Sequence, residues 1–207
     1  YADYAEWQRS WMMSNDATRE LEFWRAELEG APAQLELPAD FPRDKPVGGR
    51  SGMSRVVVPR DLWEAVETCA RQLEVTPFAV VLAAFKLVLA RQASASDVVV
   101  GMPTSGRDIP ELASLMGLFV NSLVLRTQVR LRESFEALVR RVHDTVARAR
   151  AHARVPFERL VQELAPERHT TRTPLFQVMV VWNEASESRQ EWAGGLVAER
   201  WPTPVGA

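Results

Sequence analysis

A chain of 207 residues is long enough for one well-buried core and short for two full domains. Its 46% hydrophobic and 25% charged residues are ordinary for a globular protein, and 25 basic against 27 acidic residues leave a formal charge of −2, so nothing global points to nucleic acid or a membrane. No apolar run reaches the ~18 residues that span a bilayer, Tyr1-Ala2-Asp3 opens no signal peptide, and the single Cys69 excludes an internal disulfide, which fits a reducing cytoplasm.

Residues 1–13 concentrate Tyr1, Tyr4, Trp7, Trp11, Met12 and Met13, and the spacing of Tyr4, Trp7 and Trp11 puts three rings on one helical face that must pack on something. Ser14, Asn15 and Asp16 offer caps for a second helix in which Leu21, Trp24 and Leu28 recur at helical spacing, with Gly30 as its stop. A helical hairpin over 1–30 is the expectation. Residues 31–52 carry Pro32, Pro38, Pro42, Pro46, Gly48, Gly49 and Gly52, a composition that favours an extended arm.

The core is expected over 53–184. Residues 55–58 read as a strand, and Leu62, Val66, Cys69, Ala70 and Leu73 mark the inward face of a helix lying outside a sheet. Cys69, on that apolar face, is a core side chain. Thr76 and Pro77 open a helix over 78–91 that is apolar nearly all round and should be central. Ser134 starts a long helix with Phe135, Leu138, Val139, Val142, Val146 and Ala149 on its apolar stripe. Its other side carries Arg140, Arg141, Arg148 and Arg150, either a solvated face or one that meets phosphate or an acidic partner. Pro156 opens a shorter helix ended by Pro166. Residues 175–182, LFQVMVVW, read as a strand covered on both faces, and residues 185–207 as a polar tail. Strands alternating with helices long enough to cover them imply an α/β or α+β two-layer sandwich.

The stretch 101–130 organises the rest. A β-branched strand at Val98, Val99 and Val100 breaks at Pro103, Gly106 and Pro110 into a polar loop, and a second strand is expected over 118–129. An amide near its start, Asn121, lies among Phe119, Val120, Leu123, Val124 and Leu125, where a buried unpartnered polar group would cost roughly 1–3 kcal/mol. Asn121 therefore either ties down the adjacent loop or faces a substrate cavity. The residues alone leave both open.

Four motifs in order resemble those of condensation domains of non-ribosomal peptide synthetases. Tyr1-Ala2-Asp3-Tyr4-Ala5-Glu6-Trp7 is similar to that family's Tyr-x-Asp-Tyr-Ala-x-Trp, and the run Gly117-Leu118-Phe119-Val120-Asn121-Ser122 to its Gly-x-Phe-Val-Asn-Thr. His152-Ala153-Arg154-Val155-Pro156-Phe157-Glu158 resembles His-Gln-Asp-x-Pro-Phe-Glu, and RHTTRTPL at 168–175, containing Arg168, Arg172 and Pro174, resembles Arg-Asp-x-Ser-Arg-Asn-Pro-Leu. Departures are Ala153 and Arg154 for Gln-Asp, His169 for Asp, Thr171 for Ser and Thr173 for Asn. Pro156, Phe157 and Glu158 read as structural: a helix start, a core filler and a first-turn acid favoured by the helix dipole.

The resemblance implies one chloramphenicol-acetyltransferase-like lobe, a mixed sheet covered by helices, and specifically the C-terminal half of a two-lobed domain cut at both ends. The family's H-H-x-x-x-D-G motif, whose second histidine assists attack of an acceptor amine on a donor thioester, is absent: His143, His152 and His169 are all separate. No serine-hydrolase elbow, Walker loop, dinucleotide fingerprint or metal-ligand spacing occurs either.

The implied function is therefore a share in joining a carrier-bound acyl or peptidyl thioester to a carrier-bound amine, the chain alone being inactive. No cofactor is expected to bind directly, the substrates arriving on phosphopantetheine arms. The implied partners are the N-terminal lobe, donor and acceptor peptidyl carrier proteins and an adenylation domain. Tunnel-wall candidates are Gly106, Arg107, Glu111, Asn121 and Ser122, with an ion pair anchoring the loop as the competing role for Arg107. Competing functions are a catalytically silent carrier-docking module and the same lobe of an epimerisation or cyclisation relative.

Overall fold

Three helices start where the sequence supplies a cap. Ser14, Thr76 and Ser134 accept the amides of Ala17, Ala79 and Ala137 at 3.3, 3.2 and 3.2 Å, each satisfying a donor that a helix start would otherwise leave open. The computed structural model describes residues 1–40, 52–107, 109–164, 173–183, 189–192 and 196–199. In chain order the elements are α1 (Ala2–Met12), α2 (Asn15–Leu28), α3 (Arg60–Leu73), α4 (Pro77–Gln92), β1 (Asp97–Thr104), a 3-10 turn (Pro110–Leu112), β2 (Asn121–Gln128), α5 (Phe135–Ala151), α6 (Phe157–Leu164), β3 (Arg189–Trp192) and β4 (Leu196–Glu199).

β1 and β2 pair antiparallel, with Gly101 opposite Val124 and Thr104 opposite Asn121. Gly101 turns its own amide and carbonyl the other way, donating to Val178 at 2.8 Å and accepting from Val180 at 2.9 Å, so residues 178–180 run parallel to β1 at a bridge with Met179. The sheet is thus mixed, as expected. A Cβ on Gly101 would lie 2.4 Å from the Phe176 ring, so this strand crossing needs a residue without a side chain. α4 and α5 pack together, α4 touches β1 and α5 touches β2. That two-layer α/β core holds Leu82, Leu89, Val98, Val100, Leu123, Leu125, Val139 and Val142.

Several expectations need correction. Residues 55–58 form no strand: Val56 and Val57 are 84% and 79% exposed, and β-branched propensity without a ladder partner makes only an extended chain. The second strand begins at Asn121, not 118, with Leu118 and Val120 exposed before it. Residues 175–182 are not covered on both faces, since Met179, Val181 and Trp182 are exposed and pairing is confined to the Gly101 bridge. α3 packs on α4, and Leu62 in its first turn is exposed. α4 is buried on one side only, with Val81, Phe85 and Val88 open. The polar tail contains an antiparallel hairpin, β3 with β4. Of the arm, residues 31–40 are irregular and 41–51 lie outside the described residues, as do Arg168, His169 and Arg172.

On the buried side of α4 the periodic apolar pattern is broken by Lys86, fully buried, whose Nζ donates to the Leu125 carbonyl at 2.6 Å and Thr127 Oγ1 at 2.7 Å. Burial lowers its pKa to about 7, opposed by the negative charge of Asp97. Asp97 is in turn bound by Arg126 at 2.8 Å, and Arg126 also donates to the carbonyls of Glu27 and Glu29, capping the end of α2.

Candidate functional site

Asn121, the first residue of β2, does not present its amide to solvent. Its Nδ2 donates to the carbonyls of Ala153 and Val155, both at 2.8 Å, and its Oδ1 accepts the amides of Ser122 and Phe157, both at 2.9 Å. Both donors and both acceptor positions are used, which removes the cost of placing the group there. The geometry provides the tying, although the segment tied is the turn between α5 and α6 and not the glycine-marked loop, and the same residue also lines a cleft.

The same turn is held from its other side. The Trp24 indole donates to the His152 carbonyl at 2.9 Å, and the His152 ring lies flat on Phe23 with centroids 3.6 Å apart and Nδ1 at 2.9 Å from Glu20 Oε2. Pro156 then starts α6 by accepting the amides of Arg159 and Leu160, with Glu158 in the first turn and Phe157 packed on Phe176. Pro174 accepts the Phe176 amide at 2.9 Å, holding the bend that delivers that ring.

Arg107 anchors its loop by carbonyls and, among the described residues, not by an ion pair. Its guanidinium donates to Leu112, to Leu115 at 2.9 Å and to Gly117, and stands 4.3 Å from the Phe119 ring centroid. Gly106 has φ +64°, and a Cβ there would meet the Phe119 carbonyl at 1.8 Å. Gly117 leaves room for the Tyr1 ring. Phe119 is buried under the edges of Tyr1 and Tyr4, with centroids 5.4 and 4.8 Å away, which is what the aromatic face of α1 packs on.

These pieces enclose a cleft of about 210 Å³. Its walls bring together Tyr4 and Trp7 of α1, Tyr1 standing just before that helix, Gly106, Phe119 and Asn121, and Pro156 and Glu158. Arg107, Glu111, Ser122 and Asp3 do not line it: Glu111 sits exposed in the 3-10 turn, Ser122 faces Pro103 across the ladder, and Asp3 is in the first turn of α1. Gln8, Ile109, Leu112 and Arg154 line it without having been singled out as cleft residues by the sequence. Arg154 was visible only as a departure from the Gln-Asp pattern, and the others carried no local signal. Among the described residues neither Arg154 nor Glu158 is in an ion pair, so the rim keeps one free charge of each sign. Among the described residues no cluster of three or more His, Cys, Asp or Glu could hold a metal, and no single helix is long and apolar enough to cross a membrane.

A family model describing the condensation domain matches residues 1–198. The chain is 42% identical over 180 residues to phosphinothricin tripeptide synthetase PhsB of Streptomyces viridochromogenes, covering 87% of this chain and 15% of that protein. To malpinin synthetase of Mortierella alpina it is 36% identical over 194 residues, covering 94% of this chain and 2% of that protein. The chain thus spans a small part of the length of these relatives. Among solved structures, the complex of the X-domain and OxyB from teicoplanin biosynthesis matches with a TM-score of 0.83 at 26% identity, covering all of this chain and 46% of that one. With four motifs in order, a cleft lined from three of them and a family model matching residues 1–198, the chain belongs to the condensation-domain family.

Proposed function

We propose that this chain is the C-terminal lobe of a condensation domain of a non-ribosomal peptide synthetase and supplies one wall of the channel in which a carrier-bound thioester meets a carrier-bound amine. The observation that carries the reading is the cleft itself. Four residues of the Tyr-x-Asp-Tyr-Ala-x-Trp, Gly-x-Phe-Val-Asn and Pro-Phe-Glu motifs, Tyr4, Phe119, Asn121 and Pro156, converge on one surface although they are far apart in the chain. The match to all of this chain but 46% of the X-domain chain supports the assignment to one half of a larger unit.

In the reaction the amine nitrogen attacks the thioester carbonyl, the C–N bond forms, the C–S bond breaks, and the amine proton leaves for the thiolate. Holding the two reactants together lowers the barrier by ~7–11 kcal/mol, and a proton-handling group adds further acceleration. This chain's part is positioning. Asn121 and Trp24 fix the turn that forms one side of the cleft, Arg107 and Gly106 fix the loop on another, and the rings of α1 close a third. The H-H-x-x-x-D-G histidine belongs to the companion lobe, which with donor and acceptor carrier proteins and an adenylation domain makes up the working cytoplasmic assembly; phosphopantetheine arms bring the substrates.

The test is to incubate the chain with donor- and acceptor-loaded carrier proteins, alone and as part of the complete domain, and to measure dipeptidyl product by mass spectrometry. Product is expected only from the complete domain. Turnover by the chain alone overturns the lobe assignment.

A second reading, a catalytically silent docking module, is supported by the 0.83 TM-score to an X-domain whose structure is a complex with another protein, OxyB. It predicts carrier or partner binding by the complete domain without product.

A further inference from the structure

The aromatic cleft leaves two charged side chains unused. Asn121 has both donors and both acceptor positions occupied, the Gln8 amide donates to the Tyr4 hydroxyl at 3.2 Å, and the Tyr1 hydroxyl donates to the Leu118 carbonyl at 3.2 Å. Arg154 and Glu158 line the same cleft, stand either side of Pro156, are both exposed, and are paired neither with each other nor with any other described residue. The free charge of the cleft is therefore one guanidinium and one carboxylate beside a wall of rings.

What these two charges can take up together is limited. A ligand with a single charge is attracted by one and repelled by the other, whereas a dipolar ligand, with an amine at one end and a carboxylate at the other, meets both. At about 210 Å³ the cleft is smaller than the ~300–1,000 Å³ of pockets that enclose a drug-sized molecule, which restricts the ligand to about one amino-acid residue. The two charges are not equivalent selectors. Every acceptor of the proposed reaction brings an amine, so Glu158 meets a group common to all of them, and the choice among acceptors falls to Arg154.

We propose that Arg154 is a specificity-determining residue that selects an acceptor amino acid with a carboxylate side chain, the acceptor's amine lying toward Glu158. The identity of the ligand as the acceptor rests on the reading of the chain as a condensation lobe. Neither residue takes part in bond making. An acidic acceptor uses both charges of the rim, a neutral one leaves the guanidinium unpaired, and a basic one sets a second cation against it. The His-Gln-Asp-x-Pro-Phe-Glu pattern carries an acid at the position of Arg154, so this selection is not a property of the motif.

The experiment titrates the isotopically labelled chain with the α-amides of glutamate, glutamine and lysine, which share a free amine and a blocked carboxyl and differ in side-chain charge, following the amide resonances of Ala153, Arg154 and Phe157. Glutamate amide is expected to bind about fivefold more tightly than glutamine amide and more tightly still than lysine amide, an advantage that shrinks as salt is raised because the contact is exposed. Arg154→Gln should abolish the advantage, Arg154→Lys retain part of it, and Arg154→Glu reverse the order of glutamate and lysine. N-acetylated glutamate amide, which lacks the amine, should bind more weakly than its parent. Thermal unfolding of the variants should match the unsubstituted chain, because the Arg154 side chain is exposed and unpaired among the described residues. Equal affinity for the three amides, an advantage that survives Arg154→Gln, undiminished binding of the N-acetylated amide, or no binding of any of them overturns the proposal. Condensation by the complete domain with acceptor carriers loaded with the same three amino acids tests the underlying functional reading separately. Absence of product from all three defeats that reading and leaves the binding order as measured, whereas product without preference for glutamate overturns the proposal and leaves the reading intact.

Discussion

The Asn121 carboxamide oxygen accepts the Phe157 amide at 2.9 Å, coupling the first residue of β2 to the first residue of α6. The same side chain holds Ala153 and Val155, so a single amide substitutes for a backbone ladder across a turn that has none. Asn121→Ala strands two carbonyls and two amides and is expected to cost ~1–3 kcal/mol. Asn121→Asp should cost more, since it sets an oxygen against the carbonyls of Ala153 and Val155. Denaturant unfolding of the two variants checks the order, and Asp equal to or better than Ala would defeat the tying role. In the complete domain both should lower turnover through the displaced Pro156 wall. Full turnover by a folded Asn121→Ala would show that the cleft does not need this clamp.

Lys86 predicts a pH dependence of stability. Its folded pKa, about 7, lies below the unfolded value of 10.5, so the folded state binds the proton less tightly. Below pH 7 both states are protonated and the burial penalty is constant. Between about pH 7 and 10.5 the unfolded state holds more protons, so stability should rise with pH as the penalty is relieved. Lys86→Met should flatten this rise, although it leaves the Leu125 carbonyl without its side-chain donor. Urea unfolding at several pH values between 7 and 10 measures the slope. An unchanged slope in the variant would assign it to other groups.

The loop before β2 rests on Arg107 and Gly106. Arg107→Lys cannot reach Leu112, Leu115 and Gly117 together, because one ammonium lacks the guanidinium's spread of donors. It should expose residues 109–117 to proteolysis while leaving the midpoint of thermal unfolding within a few degrees of the parent, as expected for a loop tether of about 1 kcal/mol. Gly106→Ala should be worse, since φ +64° and the Phe119 carbonyl both oppose a Cβ. Peptide mapping after brief protease exposure ranks the two.

Gly101→Ala tests the strand crossing. The added methyl would push the Phe176 ring, which packs 5.2 Å from Phe157, and overpacking of this kind costs ~1–3 kcal/mol. A fully stable variant would show that the 173–182 segment has slack.

Local signals in the chain located the helices well. Ser14, Thr76 and Ser134 are caps with a single geometric use, and the periodic stripes of α2 and α5 name their buried faces. The two-layer α/β class and the mixed sheet followed from the order of elements. Strand limits did not, because pairing depends on a partner that composition does not reveal: Val56 and Val57 are as β-branched as Val98 and Val99, yet only the latter pair have a ladder. Asn121 was legible as a special position, but its partners lie in a turn more than thirty residues on, beyond any local pattern. The hairpin of β3 and β4 had a faint signal in Gly194-Gly195 between two short runs, masked by their polarity. Lys86 left none at all: one lysine in an apolar helix reads as an exposed position until the sheet beneath it is in view.

Both backbone bonds that attach the 178–180 segment to the sheet belong to Gly101. A strand joined through one residue, to a partner on the far side of two intervening helices, gains little until those helices have closed the loop between them. Its registration is therefore a late event in folding and an early one in opening. Amide hydrogen exchange should reflect this, with Val180 exchanging well before Val100 and Leu125 of the β1–β2 pair, and the 178–180 segment behaving as a separate, weaker cooperative unit of the same sheet.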